Sequence, residues 1–379
     1  MVNPKTKANY SLERLKRLHT KMREQKLDVV LTLNAAHIRW LSSWSEVFDE
    51  EPAHLAFISA RKSHLHTDSR YVEAMRAKDK EGTWQISAEP IDHFAYARKL
   101  LAKSRKPMMR LGYEASLRLD LFKRLKKTLT AAGGPKVKLV ETQGLFEKLR
   151  AIKDADELRI LRKAQSITDA AFLDMLPLIK PGISELELAN HLEFALRNRG
   201  AQGVAFPSIV ASGPHSAFPH ARPTKRRLKR GDLLVMDFGA RYLDYSADMT
   251  RTVVVGKATE KQRTIYEAVL AALLKAKGGI KAGVTGNEAF ELAQSSLKQK
   301  ELDKAFTHAL GHGVGIDVHE QPLLSHKNTE PLLAGNVVTV EPGVYLPGFG
   351  GVRIEDFGQV TETGFASFTR SEHALIELC

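Results

Sequence analysis

A chain of 379 residues is long enough for two domains, and 43% hydrophobic with 27% charged residues is the composition of an ordinary globular fold. No run of about 18 apolar residues is present, so no membrane-spanning helix is expected. The single cysteine, Cys379, excludes an internal disulfide framework and fits a reducing compartment, the cytoplasm. The opening MVNPKTKANYSLERLK is polar and has no apolar core of a secretory leader. A formal net charge of +13 points towards an anionic partner. The densest basic run, ARPTKRRLKRG (221–231), has no aromatic residue among its charges, so it reads as a solvated loop and nucleic acid is not the expected partner.

The first part alternates helical and strand patterns, which argues for an α/β domain. LERLKRLHTKMREQ (12–25) has helical periodicity and is followed by the apolar run DVVLTL (28–33). HLAFISA (54–60) reads as a strand, SRYVEAMRAK (69–78) as a helix and MRLGYE (109–114) as a strand. DLFKRLKKTLTAA (120–132) reads as a helix and VKLVE (137–141) as a strand. Near 150 the character changes. Asp154 and Glu157 have the spacing of a capping box, and a long amphipathic helix follows to about 179. The expected division is 1–152 and 153–379.

The second part contains an echo. KPGISELELANHLEFALRNRG (180–200) and KAGVTGNEAFELAQSSLKQKE (281–301) share Lys-x-Gly, a β-branched residue, then Ser or Thr leading a helical pattern. Each follows a helix, 157–179 and 260–277, and precedes strand-rich sequence. The pattern predicts two helix–helix–strand units, with a cleft between them.

Four acids lie in or beside apolar strands: Asp237 in LLVMDFG, Asp248 in YSADMTRTVVV, Glu341 in VVTVEPG and Glu355 in GGVRIEDFG. Burying an isolated carboxylate costs several kcal/mol or neutralises it. Only Arg353 is near enough in sequence to compensate. Two divalent cations match four negative charges, and a neutral imidazole adds a ligand without charge. Mostly oxygen with one nitrogen suits Mn, Co or Fe, and Zn less distinctively. Two such ions about 3.5–4 Å apart would activate water and polarise a carbonyl. The stretch GHGVGIDVHE (311–320) supplies His312 and His319. Their spacing does not match a helical zinc motif, and an extended segment would point them to opposite faces. The glycines at 311, 313 and 315 permit the bend that brings both to one site, one imidazole for metal and one for substrate.

At these residues the sequence resembles the metallopeptidase family of prolidase, aminopeptidase P and methionine aminopeptidase. HALGHGVGIDVHE (308–320), MDFGARYLDYSADMTRT, EPGVY and GVRIED match its metal-site blocks in order and spacing. The resemblance implies an N-terminal creatinase/prolidase-like α/β domain followed by a pita-bread catalytic domain of duplicated helix–helix–strand units. It implies a metal set of Asp237, Asp248, His312, Glu341 and Glu355, with Asp248 and Glu355 bridging and manganese the first choice. It implies His220, in FPSIVASGPHSAFPH (206–220), and His319 as substrate-side histidines, and Glu341 as the carrier of a proton to the leaving nitrogen. Arg353 is implied as a support of the ligands or a partner for the substrate carboxylate. Tyr345 and Thr250 are read as further supports, and His215 as structural.

The implied activity is hydrolysis of the bond before proline in short peptides, as a dipeptidase (prolidase) or, alternatively, as an aminopeptidase P on longer ones, in a homodimer. The complete ligand set disfavours creatinase and metal-free relatives, and the N-terminal domain disfavours methionine aminopeptidase. A reading of another class is a non-catalytic peptide- or nucleic-acid-binding protein on the same scaffold. The high basic charge is not explained by the family.

Overall fold

The computed structural model describes residues 9–378 apart from 50, 52 and 135, so Cys379 lies outside the described residues. The chain divides into two compact units between Arg150 and Ala151.

The first unit is a six-stranded sheet with helices, ordered β4-β3-β2-β1-β5-β6. Its strands are β1 (Val29–Thr32), β2 (Leu55–Ser59), β3 (Ser63–His66), β4 (Trp84–Ser87), β5 (Met109–Glu114) and β6 (Val137–Thr142). Its helices are α1 (Tyr10–Glu24), α2 (Ala35–Ser42), α3 (Val72–Lys78), α4 (His93–Leu101), α5 (Leu119–Thr130) and α6 (Leu145–Ala151). β1 pairs antiparallel with β2 and parallel with β5, so the sheet is mixed. Val29, Leu31, Leu55, Phe57 and Leu111 from the strands pack with Phe94, Leu101, Leu125 and Leu129 from α4 and α5.

The second unit repeats one plan twice. The first copy has α7 (Ala155–Met175) and α8 (Glu185–Asn198), then β7 (Gly203–Val204), β8 (Ile209–Ser212), β9 (Leu233–Phe238), β10 (Ala240–Tyr242), β11 (Tyr245–Ser246) and β12 (Met249–Val255). The second has α9 (Glu260–Gly279) and α10 (Gly286–Lys298), then β13 (Gly311–Gly313), β14 (Glu320–Leu324), β15 (Val337–Val340), β16 (Gly343–Leu346), β17 (Gly350–Arg353) and β18 (Asp356–Val360). β19 (Phe365–Ser367) borders β18, and β20 (Ile376–Leu378) borders β12.

The echo extends to atoms. Each helix pair opens on a capping box, Asp154 with Glu157 and Thr259 with Gln262. The second helix of each pair has its own, Ser184 with Glu187 and Thr285 with Glu288. Each reciprocal pair satisfies two otherwise orphaned helix N–H groups. Gly182 and Gly283 turn the chain ahead of α8 and α10 at φ +97° and +91°, where a side chain is strained. The antiparallel triplet β8-β9-β12 corresponds to β13-β15-β18.

One difference from the sequence reading concerns the end of α7. The helix stops at Met175 and continues only as a 3₁₀ turn, Leu176–Leu178. Pro177 lacks the N–H that another α-helical bond needs.

Candidate metal centre

The carboxylates enter at equivalent places in the two copies. Asp237 is near the end of β9 and Glu341 follows β15; Asp248 precedes β12 and Glu355 precedes β18. Short hairpins, β10–β11 and β16–β17, join the members of each pair. Close backbone approach makes this possible. A Cβ on Gly239 would lie 1.7 Å from the Ala247 carbonyl oxygen, and one on Gly311 would lie 2.1 Å from that of Thr339. Only glycine lets Asp248 and His312 reach the centre past those carbonyls.

Asp237, Asp248 and Glu355 each present a carboxylate oxygen within 4.8 Å of the others, and among the described residues no other group of three His, Cys, Asp or Glu gathers so closely. His312 Nε2 adjoins them, 3.6 Å from Asp248 Oδ2 and 3.4 Å from Glu341 Oε1. The His312 Nδ1–H donates to the Gly313 carbonyl at 3.1 Å. That bond leaves Nε2 as a bare lone pair facing the carboxylates. Burial, with His319 adding to it, pushes the His312 imidazole down to about 4, so it is neutral at pH 7.

The acids behave oppositely. Burial raises Asp248, and the nearby Glu355, Asp237 and Glu341 charges raise it further. Burial also raises Glu355, and it pushes Glu341 up to about 8 against the opposing pull of Arg353. Two buried oxygens, Asp237 Oδ1 and Glu355 Oε1, have no hydrogen-bond partner. Hydrogen-bond bookkeeping therefore leaves the cluster incomplete until cations enter it. The donor set fits divalent ions: carboxylate oxygens, one neutral imidazole and two buried oxygens without hydrogen-bond partners.

Arg353, only 2% exposed, braces this cluster. Nη2 donates to Asp237 Oδ2, Nε to Thr250 Oγ1 at 3.0 Å, and Nη1 to the Tyr345 hydroxyl at 2.6 Å and the Pro219 carbonyl at 3.2 Å. These bonds tie the guanidinium to Asp237, Thr250 and Tyr345 at once. Thr250 in turn donates to Glu355 Oε2 at 2.7 Å.

Two supports escape the sequence reading. Thr339 Oγ1 accepts the His312 backbone N–H and donates to Glu341 Oε1, both at 3.1 Å. His308 Nδ1–H donates to the Ala309 carbonyl at 2.7 Å, so its Nε2 accepts from the Tyr345 hydroxyl at 3.0 Å. Burial pushes His308 down to about 4 and Tyr345 up to about 12, so both stay neutral. His308 opens the block that contains His312, but its partner, Tyr345, is 37 residues away and spacing offers no pointer to it.

The histidines on the open side are placed less tightly. The His319 ring lies 4.3 Å from that of His312, centroid to centroid, as the bend at 313–319 requires. His319 is exposed, and feels the charges of Asp237 and His220. His220 is also exposed, within electrostatic reach of His308 and His319. His215 points elsewhere: its Nδ1 is 2.9 Å from a carboxylate oxygen of the fully buried Glu185.

Two family profiles match the chain: that of metallopeptidase family M24 over residues 159–362, and that of the creatinase/prolidase N-terminal domain over 14–152. The chain belongs to metallopeptidase family M24. Among solved structures, the Xaa-Pro dipeptidase from Bacillus anthracis has a TM-score of 0.89 at 36% identity, covering 97% of this chain and 100% of that one. The X-Pro aminopeptidase from Thermotoga maritima has a TM-score of 0.85 at 31% identity, covering 96% and 99%. The Xaa-Pro dipeptidase from Pyrococcus horikoshii is 40% identical over 266 residues, 70% of this chain and 74% of its own length. The second unit is thus the pita-bread fold of M24, preceded by a creatinase/prolidase-like α/β domain. The protein is a prolidase-type M24 peptidase, in a family that uses divalent metal ions. No helix among the described residues is long and apolar enough to cross a membrane.

Proposed function

We propose that the protein is a two-metal Xaa-Pro peptidase that hydrolyses the bond between an N-terminal residue and proline, acting first as a dipeptidase. The observation that carries this reading is the convergence of three carboxylates within 4.8 Å, with His312 Nε2 and Glu341 beside them. Asp237, Asp248, His312, Glu341 and Glu355 would hold the two ions, with four negative charges against four positive. When bound, such ions supply Lewis acidity and a water of lowered pKa; manganese is the first choice, with cobalt, iron or zinc compatible with the same donors.

The remaining chemistry belongs to side chains. The imide nitrogen before proline carries no hydrogen and must gain a proton to leave. Glu341 holds the proton lost by the attacking water at a carboxylate oxygen and passes it to that nitrogen. His319 and His220, on the open side, donate to the oxyanion that develops on the scissile carbonyl. Arg353, Thr250 and Thr339 keep Asp237, Glu355 and Glu341 oriented, a role that commonly carries about 10–100-fold of metal affinity or activity.

Dipeptidase and aminopeptidase share these features, and the similarity to solved examples of both supports either specificity. Assays of the manganese-loaded protein on Ala-Pro and on an Xaa-Pro-Yaa tripeptide decide. Cleavage of Ala-Pro alone is the expected result, and cleavage of the tripeptide alone would make the enzyme an aminopeptidase P. Cleavage of neither, with metal bound, would contradict the peptidase reading and favour a binding protein. A homodimer is part of the proposal and is read by sedimentation equilibrium.

A further inference from the structure

One buried ion pair in the second unit lies outside the metal cluster yet next to a residue of the proposed mechanism. Lys153, with its side chain fully buried, places Nζ 3.2 Å from Glu320 Oε2, whose side chain is 7% exposed. Glu320 immediately follows His319. Its Oε1 accepts the Asp317 backbone N–H at 3.1 Å. A Cβ on Gly315 would lie 2.6 Å from both carboxylate oxygens, so the carboxylate sits inside the 315–320 turn.

The two ends of this turn are held differently. At its start, Ser246 N–H donates to the Gly315 carbonyl at 2.8 Å and Ser246 Oγ to that of Ile316 at 3.3 Å. At its end, Glu320 opens β14 and its backbone pairs with Gly313, while its carboxylate faces Lys153 and the preceding His319 is exposed. Lys153 is itself rooted: its backbone N–H donates to Gly335 O at 2.9 Å, and the next residue, Asp154, caps α7. His312 does not depend on this pair, because Thr339 and Gly313 fix its backbone and ring. A buried ion pair is a weak net stabiliser, since desolvation offsets the attraction, but it fixes geometry sharply.

We propose that Lys153 is a positioning residue for His319: its ion pair with Glu320 locks the 315–320 turn so that the His319 imidazole stays beside His312 on the substrate side. The inference rests on the peptidase reading for its kinetic consequence, and on the turn alone for its structural one.

The test uses the full-length protein. Lys153→Met/Glu320→Gln removes both charges of this pair, and Lys153→Arg keeps the charge. The double variant should bind Mn²⁺ in a calorimetric titration within about threefold of wild type, while kcat on Ala-Pro falls by about 100-fold and KM changes little. Lys153→Arg should recover most of kcat. Adding His319→Ala to the double variant should cost nothing beyond what His319→Ala costs alone, because both act through one imidazole. Additive losses, or Mn²⁺ affinity falling in step with kcat, would overturn the proposal. Failure of the wild type on both Ala-Pro and the Xaa-Pro-Yaa tripeptide would instead overturn the peptidase reading. In that case a crystal structure of the double variant still decides: His319 displaced from His312 supports the positioning role, and the ring unmoved contradicts it.

Discussion

Thr250 is fully buried, donates to Glu355 and accepts from Arg353, so a single hydroxyl joins the brace of Asp237 to the ligand at the start of β18. Thr250→Val keeps the shape and deletes the hydroxyl. It should lower Mn²⁺ affinity by about 10–100-fold and cost about 1–3 kcal/mol, read by calorimetric titration and by urea unfolding. His319→Ala should leave metal content unchanged and lower kcat on Ala-Pro by about 10²–10³; loss of metal would contradict the division of labour between the two histidines. In the first unit, burial pushes His54 and His93 from 6.5 down to about 4, and the His66 charge adds to the effect on His93. The unfolded chain therefore binds protons more readily than the folded one. The stability these rings contribute is complete above pH 6.5 and is lost as pH falls towards 4. For His54, 1% exposed, the loss is on the order of 3 kcal/mol. Urea midpoints followed across that range should fall, and His54→Leu should flatten the fall. At this scale the carboxylates were legible because ionised groups in apolar runs violate burial rules. Thr339 and His308 were not, because a threonine in a strand and a histidine in a loop violate nothing.

Among elements, those with long apolar or amphipathic patterns were readable: α1, β1, β2, α5, β5, β6 and α7. α2, β3, β4, α4 and α6 were missed, and for three of them the reason is physical. Ala36 through Ser42 in α2 are buried on every side, which erases helical periodicity. β3 reads SHLH and contains two histidines, and α4 is only nine residues long. The duplicated capping boxes were half visible: the Lys-x-Gly echo located them, but the reciprocal Ser184–Glu187 and Thr285–Glu288 bonds needed coordinates. Thr285→Ala should destabilise the second copy by about 1 kcal/mol in thermal or urea unfolding. Gly239→Ala is a sharper test of how elements place ligands. Its Cβ would collide with the Ala247 carbonyl, next to Asp248. The strain should cost about 1–3 kcal/mol, and Mn²⁺ affinity should fall more than the fold is weakened, because relief requires moving Asp248.

For the whole molecule, the two compact units and the proposed metal ligands, all five of them in the second, make a prediction about heating. Manganese at about 100 times its dissociation constant should stabilise the unit that binds it by about 2.7 kcal/mol. In a calorimetric scan the transition of the second unit should move up with metal while that of the first stays in place. Within the basic run 221–231, Arg226 pairs with Asp232 and Arg227 donates to the Gly182 carbonyl, so part of that run is tied to the fold; the net charge of +13 is not accounted for by these contacts. The central claim is that Asp237, Asp248, His312, Glu341 and Glu355 together hold two divalent ions. A crystal grown with manganese and measured at the manganese absorption edge tests it most directly. Two anomalous peaks among these five side chains is the predicted result; a single peak, none, or manganese bound elsewhere would contradict it.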